Sequence, residues 1–154
     1  MTYKEYREKR QAEYNALPIF YAFGDEQFKE ALRERGLTLD NLDQVCRVSA
    51  GFALKKDLPI IKAFLEKPDE LPELMKDPSF AEDAFYFEMA NHEYHINWEA
   101  DWDVLNCFGN IPGNDADESL NHYFDLCGFE PQTRSAYMKA RSRFMNDALE
   151  NDWY

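Results

Sequence analysis

FAEDAFYFEMANHEYHINWEADWDVLNCF, residues Phe80 to Phe108, is the stretch on which the reading of this chain turns. It holds two of the three histidines and two of the three tryptophans. Its first part has helical spacing. Phe80, Ala84 and Phe87 recur in steps of three and four, Phe85 and Met89 widen the apolar face, and a helix this apolar belongs in a core. Ser79 and Glu82 stand in capping-box spacing at its start. The period changes after Glu93. Tyr94, Ile96 and Trp98 alternate with His95 and Asn97, which predicts a strand with one face buried against the helix. Asp101 or Asp103 then starts a short helix ended by Gly109.

Toward the N-terminus, Thr2 to Leu17 reads as a helix with Thr2 and Glu5 as a capping box and Pro18 as its stop. Ile19 to Phe23, IFYAF, predicts a short buried strand. A helix over Glu26 to Arg35 follows, with Gly36 at its C-cap. Leu37 to Leu42 suits a single turn capped by Thr38 or Asp40. Val45 to Leu54 predicts a hairpin or bulged strand pair around Gly51. Asp57 and Pro59 open a helix whose Ile60, Ile61, Phe64 and Leu65 face inward. Residues 66–78, with Pro68, Pro72 and Pro78, are an irregular acidic segment.

Toward the C-terminus, Asn110 to Gly113 is a turn, Asp115 to Cys127 a helix, and residues 131–150 a long terminal helix. The resulting class is α+β and predominantly helical, with about six helices around a small sheet of about three strands. At 154 residues the chain is expected to be one domain, large enough for a real core.

The composition is globular, at 45% apolar and 16% aromatic residues. Met1 to Tyr14 is charged and has no signal-peptide core, and the apolar run Leu17 to Phe23 is too short to span a bilayer. Cys46, Cys107 and Cys127 are widely spaced and odd in number, which points to buried thiols in a reducing, cytoplasmic setting. The net charge of −13 is concentrated: residues 66–130 carry two basic side chains, Lys67 and Lys76, against 17 acidic ones, a net of −15. Such a surface repels nucleic acid and anionic membranes and attracts basic partners. Lys4, Arg7, Lys9 and Arg10 interleave with Glu5, Glu8 and Glu13. Together with Arg134, Lys139, Arg141 and Arg143 they do not make the unbalanced patch that direct nucleic-acid binding requires.

His92-Glu93-Tyr94-His95 falls one residue short of the spacing that puts two zinc-binding histidines on one helical face. A metal reading centres on His92, His95, Glu99 and His122, with Glu88 four residues before His92 as a further ligand. It needs these groups to converge in space. The competing reading makes His92 a helix-terminal residue and His95 a half-exposed strand residue. Asp115-Ala116-Asp117-Glu118 is not a calcium loop, because the sixth and twelfth positions from Asp115 are Leu120 and Leu126. Acidic residues in the first turn of a helix account for it. There is no GxSxG elbow, no cysteine near a histidine in sequence and no phosphate-binding glycine motif, so neither a catalytic nucleophile nor a cofactor is expected.

The acidic block itself is the stronger candidate. Glu93, Glu99, Asp101 and Asp103 cluster with Trp98 and Trp102, and Asp115, Asp117 and Glu118 follow. Spaced carboxylates with aromatic anchors suit a basic protein surface, and can imitate the phosphates that such a surface normally binds.

Four segments carry a resemblance: EYNALPIFYAFGDEQFKEAL (Glu13 to Leu32), GFALKKD (Gly51 to Asp57), ANHEYHI (Ala90 to Ile96) and DVLNCFG (Asp103 to Gly109). Across roughly Tyr3 to Gly109 the chain resembles a family of small proteins of phages, prophages and conjugative elements of gut bacteria. It departs from that pattern in its single glycine before Phe52 and in His95. The family has no activity to carry over. The setting implies a non-enzymatic inhibitor or adaptor in the cytoplasm of a bacterial host, engaging a basic, nucleic-acid-binding defence effector as a nucleic-acid mimic or anti-CRISPR. The alternatives are a metal-binding protein or metal-dependent enzyme centred on His92 and His95, and a self-associating protein.

Overall fold

The computed structural model describes residues 1–114 and 116–154, so the expectations placed on Asp115 lie outside it. Contacts fall into two compact units, residues 1–9 with 69–154, and residues 10–68. The α+β, predominantly helical class is observed. Among the described residues there are eight α-helices and one two-stranded antiparallel sheet, in place of about six helices and three strands.

The larger unit is built on α5 (Pro78–Asn91) and α8 (Pro131–Glu150). Ala81 and Ala84 of α5 and Ala136, Ala140 and Ala148 of α8 are buried and small, so the two backbones can approach closely. Phe85 fills the adjoining space, its ring 5.0 Å from that of Tyr137, 5.0 Å from Phe108 and 5.6 Å from Phe129, each edge to face. Truncating such a buried ring to alanine costs about 3–5 kcal/mol. The first residues of α1 (Tyr3–Asn15), the single turn α4 (Leu71–Leu74), α6 (Ala100–Leu105) and α7 (Leu120–Cys127) complete this unit.

The helix starts are partly as expected. Thr2 and Glu5 form the capping box: the Thr2 N–H donates to Glu5 Oε2 at 2.7 Å and the Glu5 N–H to Thr2 Oγ1 at 3.1 Å. α5, however, is capped by Asp77, which accepts from the Ser79 N–H at 3.0 Å, rather than by Ser79. Pro78 takes N1, where its missing N–H leaves nothing unpaired, and so fixes the residue before it as the cap. α7 begins at Leu120 under a Ser119 cap, so Asp117 and Glu118 precede the helix instead of lying in its first turn.

The expected strand Tyr94 to Trp98 is a series of turns. Helix α5 ends in a Schellman motif: the Glu93 N–H reaches Ala90 O at 3.3 Å and the Tyr94 N–H reaches Met89 O at 2.9 Å, with Glu93 left-handed at φ 50°. That geometry folds Tyr94 back beside Met89 in the core and turns the chain away from any extended path. The alternation of Tyr94, Ile96 and Trp98 therefore has no sheet to serve, and Ile96 and Trp98 are exposed.

In the smaller unit, α1 continues to Asn15 and is followed by α2 (Asp25–Glu34), a 3-10 turn (Leu39–Gln44) capped by Thr38, the hairpin β1 (Val45–Val48) and β2 (Gly51–Leu54), and α3 (Leu58–Glu66). The hairpin has the register Val45↔Leu54 to Val48↔Gly51 around Ser49 and Ala50. The strand expected over Ile19 to Phe23 contracts to one residue. Phe20 bridges Phe52 through two 2.8 Å hydrogen bonds. Gly51 permits the bridge, because a Cβ there would stand 2.7 Å from the Phe20 carbonyl oxygen. On α3, Ile61 is buried, while Ile60 and Leu65 are exposed rather than inward. Among the described residues no helix is long and apolar enough to cross a membrane.

Glu93 holds a position that favours glycine. A left-handed residue with a Cβ is disfavoured by about 1–2 kcal/mol, and glycine's extra freedom in the unfolded chain offsets roughly 0.5–1 of that. Glu93→Gly is therefore expected to raise stability by about 0.5–1 kcal/mol, read as a higher urea midpoint with an unchanged m-value.

Candidate functional site

Two groups of side chains in the larger unit stand out. The first is centred on Glu88, which is 2% exposed in the last turns of α5. A charge there needs partners, and it has them. Tyr3 OH donates to Glu88 Oε1 at 2.8 Å, Arg7 pairs with the same oxygen at 2.6 Å, and Asn91 Nδ2 donates to Oε2 at 3.2 Å. His92, one helical turn on, places Nε2 3.5 Å from Oε2. Cys107, in the turn after α6, places Sγ 3.6 Å from Glu88 Oε2 and 3.6 Å from His92 Nε2. Glu88, His92 and Cys107 are, among the described residues, the one group of three ligand-type side chains whose donor atoms converge.

Electrostatics here oppose an activated nucleophile. Burial, followed by the neighbouring Glu88 charge, pushes the Cys107 thiol up to about 12, so it is protonated at neutral pH. Burial and the bond to Glu88 likewise push the Tyr3 phenol well above its ordinary range.

The expected metal set His92, His95, Glu99 and His122 does not assemble. His95 Nε2 bonds the Trp153 carbonyl oxygen at 3.0 Å, and its ring packs with Phe144, Trp153 and Tyr154. His122 lies beside Asp117 and Tyr123. Glu99 is exposed in the second group. Only His92 keeps a place, with Glu88 as expected and Cys107 in addition. The Glu88–His92 spacing was readable. Cys107 was not, because an expected strand separated it from the helix and the turns that replace that strand bring it back.

The second group is a groove of about 230 Å³ lined by Trp98, Glu99, Asp101, Trp102, Glu118 and Tyr123 together with Pro112 and Gly113. It gathers Glu99, Asp101, Trp102 and Glu118 of the acidic set. Trp98 is 99% exposed. Trp102 is anchored by donating Nε1–H to Pro112 O at 3.4 Å. The other acidic residues serve differently. Asp101 accepts from Tyr94 OH at 2.6 Å and from Tyr137 OH, so its carboxylate is committed to the core. Asp103 accepts from Asn97 Nδ2 at 2.7 Å, and Asp117 accepts from the Ser119 N–H at 2.9 Å. Glu93 is the exposed left-handed residue that ends α5.

Two outcomes follow. Tyr3→Phe removes a hydrogen bond to a buried charge and is expected to cost roughly 1.5–3 kcal/mol in denaturant unfolding. The folded chain also holds its thiol and phenol protons more tightly than the unfolded chain, whose ordinary values are 9.0 and 10.0. The stabilisation from Cys107, Tyr3, Tyr94 and Tyr137 is thus intact below pH 9 and is lost as pH rises beyond it. Urea midpoints should be level from about pH 7 to about pH 9 and fall above it.

No curated protein and no solved structure matches the chain at a significant level. One family profile does, over residues 2–127, and it is described as a family of unknown function (DUF7659). The matched stretch runs from α1 through α7 and includes Tyr3, Glu88, His92, Cys107 and the groove residues. The chain belongs to the DUF7659 family.

Proposed function

We propose that this protein binds a basic segment of another protein through the acidic, aromatic groove, and acts as a non-enzymatic inhibitor or adaptor. The observation that carries the reading is the convergence of Glu99, Trp102 and Glu118 beside a fully exposed Trp98. Indole faces attract guanidinium and ammonium groups, and carboxylates at the groove rim pair with them, so an arginine- or lysine-rich strand or helix end is the occupant that fits. A tryptophan with this exposure has little to do in a monomer and is the residue type most often found at the energetic centre of an interface. The net charge of −15 over residues 66–130 would draw such a partner in and keep nucleic acid out. The resemblance to mobile-element proteins supports a setting in a bacterial cytoplasm, with a DNA-handling defence effector as the partner and the protein as its nucleic-acid mimic.

Glu99 and Glu118 are the side chains to test, since Asp101 and Asp103 hold the fold together. An arginine-rich peptide titrated against tryptophan fluorescence is expected to bind the native chain in a salt-dependent manner. The Glu99→Lys/Glu118→Lys variant should bind at least about tenfold more weakly, with unchanged circular dichroism. Trp98→Ala should lose affinity without losing the salt dependence. Equal affinity of the charge-reversed and native chains, or binding indifferent to salt, would remove the groove as the binding site.

A further inference from the structure

The Glu88 group lies outside the groove and has a geometry of its own. In a tetrahedral zinc site, bond lengths of about 2.3 Å to sulfur and about 2.0–2.1 Å to nitrogen or oxygen set donor atoms roughly 3.3–3.6 Å apart. Glu88 Oε2, His92 Nε2 and Cys107 Sγ are separated by 3.5, 3.6 and 3.6 Å. We propose that these three atoms are the protein ligands of a divalent transition-metal ion of the zinc class, with the fourth position left to water or an external ligand.

Four features support the assignment. The donor set mixes thiolate, imidazole and carboxylate, which suits zinc and its neighbours and is a poor match to magnesium or calcium. The carboxylate is oriented for single-oxygen coordination: Tyr3 and Arg7 both occupy Oε1, while Oε2 faces His92 and Cys107 and keeps a second lone pair for the 3.2 Å bond from Asn91 Nδ2. Such outer partners orient a ligand and neutralise part of its charge. Glu88 and His92 are fixed one turn apart on a core helix, so two of the three ligands are held in place before any ion arrives. Finally, the buried Glu88 forms the floor while His92 and Cys107 reach solvent, so an ion can enter without opening the core. Binding replaces the Cys107 thiol proton, which leaves to water, and joins the turn after α6 to the end of α5.

Cobalt(II) is the probe, because thiolate ligation gives it a charge-transfer band in the near ultraviolet and tetrahedral geometry gives intense visible bands. The chain is purified without a polyhistidine tag, stripped with chelator and titrated with cobalt, then with zinc in competition. One equivalent with both bands, displaced by zinc, is expected. Cys107→Ser should lose the thiolate band. His92→Gln should weaken binding by more than the roughly 10–100-fold that losing an outer partner costs. Both side chains face solvent, so circular dichroism should match the native chain, and Tyr3→Phe gives a milder variant with all three ligands present. Absence of a thiolate band in the native chain would overturn the assignment. So would a band that persists in Cys107→Ser, or cobalt uptake equal in native and variant chains, which marks scattered surface carboxylates.

Discussion

A carboxylate inside an aromatic core is the constraint from which much of the larger unit follows. Glu88 lies on the face of α5 that also carries Ala81, Ala84 and Phe85 into the interior, and an unpaired charge there would cost several kcal/mol. Its compensation comes from far away in sequence. Tyr3 and Arg7 of the first helix deliver a hydroxyl and a guanidinium to one oxygen, which fixes the first turns of α1 against α5. The Arg7 guanidinium also lies 5.2 Å from the centre of the Phe87 ring, so the same side chain serves both the charge and the aromatic surface. The remaining oxygen faces His92 and Cys107, and the chain from Glu93 onward is routed so that Cys107 can return there.

The same chemistry recurs through the unit and explains how a region so poor in lysine and arginine stays folded. Tyr3 donates to Glu88, Tyr6 to Asp69, Tyr86 to Asp147, and both Tyr94 and Tyr137 to Asp101. At least five of the nine tyrosines therefore donate to carboxylates. A phenol supplies a strong donor without a charge and buries a ring at the same time, so it does the work of a salt-bridge partner inside a core. The acidic residues consequently serve more than one purpose. Asp69, Glu88, Asp101 and Asp103 are structural acceptors, while Glu99 and Glu118 line an open groove.

α6 links the two groups. It places Trp102 on the groove, uses Asp101 to hold Tyr94 and Tyr137, and its C-terminal turn supplies Cys107 to Glu88. The Cys107 thiol also contacts the Asp103 carbonyl oxygen at 3.3 Å, so its position is tied to the end of that helix. Ala100, Val104 and Leu105 of this short helix are buried in the core.

The sequence by itself determined the features that depend on near neighbours. The Thr2–Glu5 capping box, the stop before Pro18, the hairpin from Val45 to Leu54 and the apolar face of α5 are local, and each is present. Charge and aromatic content, which can be read along a chain, also marked a wider set, Glu93, Glu99, Asp101, Trp102, Asp103, Asp115, Asp117 and Glu118, of which Glu99, Asp101, Trp102 and Glu118 line one groove. Tertiary structure decided the rest. Tyr94 to Trp98 has the alternation of a strand, but no strand is present to pair with it, and the left-handed Glu93 turns it into a bend; period alone cannot say whether a partner exists. Asp101 looked like a surface charge until Tyr94, from the turn after α5, and Tyr137, from α8, closed on it. Cys107 became a neighbour of His92 only through that bend, since convergence of ligands separated by turns is a property of the folded path and not of spacing in the chain.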